Sequence, residues 1–122
     1  MPAEKILVVD DEQSMTQFLG IVLRKEGYQV TVSNNGRDAL DKVRAESFDV
    51  VITDIRMPKM NGIDLLKAIR GNNKKADVII LTGYPSLENI RDAEKFGVSG
   101  FFTKPLDVIR FMDTLAAIQK RR

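Results

Sequence analysis

Apolar residues occur along this chain as short continuous runs separated by longer stretches in which they recur at helical spacing. Three runs are continuous and rich in β-branched residues, as strands buried on both faces are: residues 5–9, 50–53 and 78–81. Residues 29–32 alternate between apolar and polar, which is typical of a half-exposed edge strand. Residues 100–103 form a short fifth run. The pattern therefore predicts five strands, each followed by a helix.

The stretches between the runs are predicted helices. The first ends at Gly27, as a helix-terminating glycine would end it, and the last runs from about Asp107 to Lys120. The fourth begins at Ser86, which is placed to cap it, and its apolar stripe is thin, so we expect a weakly anchored helix. The apolar positions of the five helices are Met15, Phe18, Leu19, Val22 and Leu23; Ala39, Leu40 and Val43; Leu66 and Ile69; Leu87, Ile90, Ala93 and Phe96; and Val108, Phe111, Met112 and Leu115.

Five strand and helix units fill the chain, so residues 1–122 are predicted to be a single α/β domain. Parallel strands need crossover connections, which are almost always right-handed. The second strand alternates and the fifth is short, which puts both at the edges. The prediction is a doubly wound five-stranded parallel sheet of order 2-1-3-4-5, with helices on both faces in a three-layer sandwich.

Composition excludes several classes of function. The formal net charge is only +2, from 19 basic and 17 acidic residues, so direct nucleic-acid binding is not indicated. The chain has no cysteine and no histidine, which removes thiolate chemistry and any phosphohistidine of its own. No apolar run approaches the length of a membrane span, and the first five residues are too short and polar for a signal peptide, so we expect a cytoplasmic protein without membrane contact.

Polar residues follow four strands of the predicted sheet. Asp10 and Asp11 come after the first strand, Asp54 after the third, Thr82 after the fourth and Lys104 after the fifth. The carboxyl ends of parallel strands share one edge of a sheet, where ligands collect. Carboxylates packed this closely repel one another and favour a bound cation. Oxygen donors suit magnesium, or manganese, in a site that leaves room for a phosphate oxygen.

This arrangement predicts a nucleophilic role for Asp54. Its carboxylate could attack a phosphoryl group and form an acyl phosphate, while the metal and Lys104 neutralise the charge on the phosphoryl oxygens. Thr82 could donate its hydroxyl to the product, and Gly83 leaves space beside it.

The chain resembles, over almost its whole length, the receiver domain of two-component response regulators, a family with a flavodoxin-like or CheY-like fold. The combination of matching motifs is far more specific than any one of them: Asp10-Asp11, Asp54 with Met57-Pro58 and Gly62, Thr82-Gly83, and Lys104-Pro105.

The resemblance implies a role for each matching residue. Asp54 would be the phosphoacceptor. Asp11 and Asp54 would bind the metal directly, together with the backbone carbonyl of Arg56, and Asp10 would bind it through water. Thr82 and Lys104 would hold the phosphate. The family usually has a cis peptide bond at the position of Lys104-Pro105.

Three further positions match residues that regulate the family. Phe101 stands at the position of the switch aromatic, although as a phenylalanine it has no hydroxyl and could act only through packing. Arg56 and Tyr84 match positions that tune how readily water removes the phosphate, and their size favours slow loss.

The resemblance also implies partners and a limited kind of catalysis. The phosphodonor would be a histidine kinase or a histidine phosphotransfer protein, and the domain would catalyse only its own phosphorylation and dephosphorylation. Ile109 and Ala116 fall on a flank of the last helix, so we expect an output face formed by the fourth helix, the fifth strand and the fifth helix. This face would bind a partner or a second copy in a phosphorylation-dependent dimer.

Three other interpretations remain. A flavodoxin-type electron carrier needs a hydroxyl- or glycine-rich loop after the first strand, where this chain has acids. A haloacid-dehalogenase-type phosphatase needs a second acid two residues beyond its nucleophile, where Arg56 stands. A degenerate receiver would act only as a scaffold. Taken alone, an aspartate pair is also typical of a solvated turn, a lone lysine of a protein surface, and Phe101 of a core residue.

Overall fold

The computed structural model describes residues 4–72 and 75–121. Strands and helices alternate through these ranges with bounds close to those predicted. The run Gly71-Asn72-Asn73 predicts the turn that closes the third strand and helix unit, and Asn73 lies outside the described residues. The elements are β1 Lys5–Val9, α1 Gln13–Lys25, β2 Gln29–Ser33, α2 Gly36–Ala45, β3 Val50–Thr53, α3 Gly62–Gly71, β4 Asp77–Thr82, α4 Leu87–Lys95, β5 Gly100–Thr103 and α5 Val108–Lys120.

All the strand pairs of the sheet are parallel, and the strand order is β2-β1-β3-β4-β5. The register pairs Val9 with Thr53 and Thr82 with Thr103. The carboxyl ends of the strands therefore share one edge of the sheet, and the loops that follow β1, β3, β4 and β5 meet there. The predicted doubly wound α/β fold is confirmed.

Each face of the sheet supports its own hydrophobic core. Leu7, Val51 and Ile80 point to the face covered by α2, α3 and α4, whereas Ile6, Ile52 and Ile79 point to the face covered by α1 and α5. Alternate side chains of a strand point to opposite faces, so a strand buried on both sides must be apolar at every position. This requirement explains the continuous apolar runs that predict the central strands.

Two exposed side chains show where the apolar stripes overestimate burial. Phe18 belongs to the stripe of α1, yet it is 44% exposed because Leu19 and Leu23 fill the position against the sheet. Leu87 in α4 is 63% exposed. In α4, all of which is described, Ala93 is the single buried residue, which confirms the thin contact predicted for this helix.

Gly62 fixes the loop that leads from β3 into α3. A Cβ atom at this position would overlap the carbonyl oxygen of Asp54, so only glycine allows the two backbones to approach so closely. The amide of Gly62 donates a hydrogen bond to the carbonyl of Ile55 at 2.9 Å. The start of α3 therefore packs directly on the segment that carries Asp54.

In the part of the chain that the structure describes, every helix is too short or too polar to cross a membrane.

Candidate functional site

Three side chains from separate strands meet at the carboxyl edge of the sheet. Lys104 follows β5 and reaches across β4 and β3, placing its ammonium 2.9 Å from Asp10 Oδ2 and 3.1 Å from Asp54 Oδ2. The side chains of Asp10 and Asp54 are only 3% and 9% exposed, and that of Lys104 is 14% exposed. Buried charges are found where they are paired, so the ammonium and the two carboxylates form one electrostatic unit.

The backbone holds the second oxygen of each buried carboxylate. Asp10 Oδ1 accepts a hydrogen bond from the amide of Glu12 at 2.9 Å, and Asp54 Oδ1 accepts one from the amide of Ile55 at 2.7 Å. Each carboxylate is therefore fixed in orientation, with Oδ2 directed at Lys104. The Lys104–Pro105 peptide bond is cis, as the resemblance implied.

Burial and hydrogen bonding shift the pKa values of Asp10 and Lys104. Burial raises the pKa of Asp10, while its hydrogen bonds to Glu12 and Lys104 oppose that effect. Burial alone would lower the pKa of Lys104, but its hydrogen bonds to Asp10, Glu12 and Asp54 raise that pKa above its ordinary value. Lys104 therefore stays positively charged throughout the physiological range.

Glu12 is a member of this cluster that the sequence did not single out. Its carboxylate lies 3.0 Å from the Lys104 ammonium, on the solvent side, and its side chain is 59% exposed. Its place as the third acid of the run that begins at Asp10 is the sequence signal that could have identified it. The carboxylate cluster of the described residues contains Asp10, Glu12 and Asp54, whereas Asp11 lies outside it and is exposed.

Thr82 lies beside the cluster at the end of β4. It is fully buried, and its hydroxyl accepts a hydrogen bond from the amide of Tyr84 at 3.2 Å. The amide of Lys104 donates to the carbonyl of Thr82 at 2.8 Å, which joins the ends of β4 and β5. A Cβ atom at Gly83 would meet Lys104 Cδ at an ordinary 4.0 Å, so the space expected beside Thr82 is present.

Three residues with predicted regulatory roles lie close to this edge. The guanidinium carbon of Arg56 is 4.3 Å from the ring centroid of Tyr84, a cation–π contact between the loops after β3 and β4. Phe101 is half-buried and packs against the core beneath α2, α3 and α4. Met57 and Met60 pack against the same core, as loop-packing residues should.

The donor atoms of the cluster suit a hard divalent cation. Oxygens of Asp10, Glu12 and Asp54 all lie within 4.8 Å of one another. The chain has no histidine or cysteine to offer nitrogen or sulfur ligands. An all-oxygen set of this charge fits Mg²⁺ or Mn²⁺ and disfavours zinc and copper.

Comparison with known proteins identifies the class to which this fold and site belong. The family model of the response regulator receiver domain matches residues 6–116. The chain belongs to this family, the receiver domains of two-component systems, as its sequence motifs predicted.

Individual relatives show the same relationship. The chain is 38% identical over 115 residues to sporulation initiation phosphotransferase F of Bacillus subtilis, covering 94% of this chain and 93% of that protein. It is 44% identical over 110 residues to the transcriptional regulatory protein ZraR of Escherichia coli, covering 90% of this chain. The chain spans only 25% of the length of that regulator.

Solved structures agree with the sequence relatives. The receiver domain of the Francisella response regulator 1452 superposes with a TM-score of 0.89 at 33% identity, covering 97% of this chain and 98% of that one. The chemotaxis protein CheY4 of Vibrio cholerae gives a TM-score of 0.87 at 33% identity, covering 95% of this chain and 98% of that one.

Proposed function

We propose that residues 1–122 form a single receiver domain that acts as a phosphoacceptor switch, with Asp54 as the phosphoacceptor. The observation that supports this most strongly is the environment of Asp54. Its buried carboxylate has Oδ1 held by the amide of Ile55, while Oδ2 faces the Lys104 ammonium. A carboxylate held in one orientation beside a fixed positive charge is preorganised for attack on an anionic phosphoryl group.

The phosphodonor is a phosphohistidine of a histidine kinase or a histidine phosphotransfer protein. Asp54 Oδ2 forms a bond to phosphorus while the bond between phosphorus and the imidazole nitrogen breaks, and the nitrogen keeps the electron pair and takes up a proton. Lys104 moves with the charge and stabilises the phosphoryl oxygens. The product is an acyl phosphate on Asp54, so the domain catalyses only its own modification and its reversal.

A bound Mg²⁺ or Mn²⁺ would neutralise the oxygens of the transferring group. We assign its direct ligands to Asp11, Asp54 and the backbone carbonyl of Arg56, with Asp10 bound through water. Asp11 is exposed at the rim of the site, so its carboxylate is free to turn towards the cluster. The buried oxygens of Asp10 and Asp54 supply the fixed part of the site.

Phosphorylation adds roughly −1.5 to −2 charges and three strong acceptor oxygens to a site built around Lys104. The Thr82 hydroxyl, which makes one 3.2 Å contact within its own turn, can turn to donate to a phosphoryl oxygen. Converting a switch from about 1:99 to 99:1 needs roughly 5.5 kcal/mol. Hydrogen bonds to charged groups contribute about 1.5–3 kcal/mol each, so two or three new contacts are sufficient.

The output face is formed by α4, β5 and α5. Leu87 on α4 and Ile109 on α5 are 63% and 76% exposed, and Tyr84 in the preceding loop is exposed as well. Exposed apolar side chains on α4 and α5 are the kind of groups that a partner or a second copy of the chain would cover. Phe101 on β5 links this face to the core and acts as the switch aromatic through its packing.

Arg56 and Tyr84 set the lifetime of the phosphorylated state. Their stacked side chains come from the loops after β3 and β4, which flank Asp54 and Thr82. Two large side chains in contact between these loops would hinder an attacking water, so we expect slow loss of the phosphoryl group.

If this chain is part of a longer regulator, the effector domain lies outside residues 1–122. Any contact with DNA would then belong to that domain and not to this chain.

The test is the intact mass of the protein after incubation with Mg²⁺ and a small-molecule phosphodonor. We expect one added phosphoryl group, absent from Asp54→Asn and absent without the metal. Thr82→Ala should still accept the phosphoryl group but should show a weaker response at the output face. A scaffold without phosphorylation would add no mass with the small donor or with a phosphohistidine donor, and steady turnover of phosphate esters would favour a phosphatase.

A further inference from the structure

The Glu12 side chain does not cap the helix at whose amino end it lies. Glu12 is the N-cap residue of that helix, yet within the described residues its side chain makes no capping hydrogen bond to the first turn. Its carboxylate instead reaches Lys104, 92 positions away along the chain, at 3.0 Å. An N-cap side chain normally accepts a hydrogen bond from a free amide of the first turn. The Glu12 carboxylate accepts one from the Lys104 ammonium instead.

The three partners of Lys104 differ in what else can use them. Asp10 and Asp54 each have Oδ1 bound to a backbone amide, and each offers Lys104 its Oδ2. A divalent cation bound by Asp54 directly and by Asp10 through water would use the same two carboxylates as the ammonium. The ammonium and the metal therefore compete for both buried carboxylates.

Glu12 is the exposed member of the carboxylate cluster, and it is not among the ligands proposed for the metal. Its side chain is 59% exposed and approaches Lys104 from the solvent, whereas Asp10 and Asp54 approach from within the fold. With a cation on the two buried carboxylates, Lys104 would still have Glu12 as a carboxylate partner at the site. An ammonium held in this way stays close to Asp54 and ready to contact a phosphoryl oxygen.

We propose that Glu12 is a positioning residue that retains Lys104 at the site when a divalent cation occupies the inner carboxylates. The inference rests on the proposed function, because it concerns the metal-bound form of the switch. Glu12 increases the affinity for the metal in two ways. Its charge attracts the cation, and it gives the displaced ammonium a partner.

The test compares the wild-type protein with Glu12→Gln, which keeps the size of the side chain but removes its charge. Titration with Mg²⁺ alone should give a dissociation constant roughly threefold to tenfold higher for the variant. In protein labelled with ¹³C and ¹⁵N at lysine, the ε-methylene and ammonium signals of Lys104 should stay distinct at saturating Mg²⁺. In the variant they should move to the position of solvent-exposed lysines.

Glu26→Gln is the matched control, because it makes the same charge change at the opposite end of α1, where Glu26 is exposed. Glu26→Gln should leave both the Mg²⁺ dissociation constant and the Lys104 signals unchanged. An unchanged Mg²⁺ affinity or unchanged Lys104 signals in Glu12→Gln would contradict the proposal, and so would an equal effect from the control. If the wild-type protein itself bound no Mg²⁺, the metal site of the proposed function would be contradicted together with the role of Glu12. If the wild-type protein bound Mg²⁺ and the variant behaved identically, only the role of Glu12 would be contradicted.

Discussion

Helices α3 and α4 cover neighbouring parts of the same sheet face but differ sharply in how they are held. They have 10 and 9 residues, and both are described in full. The buried residues of α3 are Gly62, Ile63, Leu65, Leu66 and Ile69, whereas in α4 Ala93 alone is buried. Helix α3 follows the loop that begins at Asp54, and α4 follows the loop that begins after Thr82.

This difference divides the candidate site into a fixed part and a movable part. On the α3 side, Gly62 packs against the backbone of Asp54 and leaves it no room to shift. On the α4 side, Gly83 has ample space and the helix presents Leu87 to solvent. A switch needs this asymmetry, since the phosphoacceptor must keep its geometry while a neighbouring element of low local stability responds.

The two ends of α4 differ in how they are held by hydrogen bonds. Arg70, near the end of α3, donates hydrogen bonds to the carbonyls of Phe96, Gly97 and Ala76 at 2.8–3.0 Å. The contacts to Phe96 and Gly97 hold the carboxyl end of α4. The amino end of α4, which follows Thr82, is the end left free to move.

Truncation of one leucine in each helix should give the largest contrast. Leu66→Ala removes a fully buried side chain from the core beneath α3 and should lower the free energy of unfolding by about 2–5 kcal/mol. Leu87→Ala, at an exposed position of α4, should change it by less than about 0.5 kcal/mol. Urea denaturation measures both, and similar losses would mean that α4 is packed as firmly as α3.

Adding a methyl group to one glycine in each loop should give the next largest contrast. Gly62→Ala forces its Cβ into the carbonyl oxygen of Asp54 and should cost about 1–3 kcal/mol or more. Gly83→Ala meets only Lys104 Cδ at van der Waals distance and should leave stability within about 0.5 kcal/mol. A neutral Gly62→Ala, measured by thermal and urea unfolding, would show that the Asp54 loop is not fixed by this contact.

Loss of the Arg70 hydrogen bonds should destabilise the carboxyl end of α4. Arg70→Met keeps much of the apolar stem but removes the hydrogen bonds to three carbonyls, and should cost about 1–3 kcal/mol. Amide exchange should accelerate at Val98, next to the released carbonyls. Arg91→Met, at an exposed position on α4, is the matched control and should change neither reading. Unaltered exchange in the Arg70 variant would contradict the anchoring role.

Removing the cap of each helix should give the smallest effects. The side chains of Asn61 and Ser86 accept hydrogen bonds from the amides of Asp64 and Asn89 at 2.8 and 3.0 Å. Asn61→Ala should lower global stability by about 1 kcal/mol. Ser86→Ala should mainly increase fraying of α4, which hydrogen exchange detects, with less effect on global unfolding. An equal global loss in both variants would indicate that α4 unfolds only together with the rest of the domain.

The sequence predicted the fold almost completely because a central strand that is buried on both faces must be a continuous apolar run. Residues 6–9, 50–52 and 78–81 are apolar throughout, and that pattern predicted both the strands and their place in the sheet. The stripe of a helix is less exact, since a residue one position from the centre of the stripe, such as Phe18, can turn to solvent.

The candidate site was predictable where backbone topology decides position, and less so where side chains choose their partners. Asp10, Asp54, Thr82 and Lys104 meet because their strands end at one edge. The contact between Glu12 and Lys104 depends on side-chain reach, and so does the stacking of Arg56 on Tyr84. The acidic run after β1 marks Glu12 as a candidate, but spacing along the chain does not specify which side chain it contacts.

Hydrogen exchange of the Asp54-phosphorylated protein, kept modified by excess phosphodonor and compared with the unmodified protein, tests the account most directly. Phosphorylation should change exchange in residues 87–95 of α4 and leave residues 62–71 of α3 nearly unchanged. A protein that carries the phosphoryl group but exchanges identically in α4, or changes equally in both helices, would contradict the division into a fixed and a movable half.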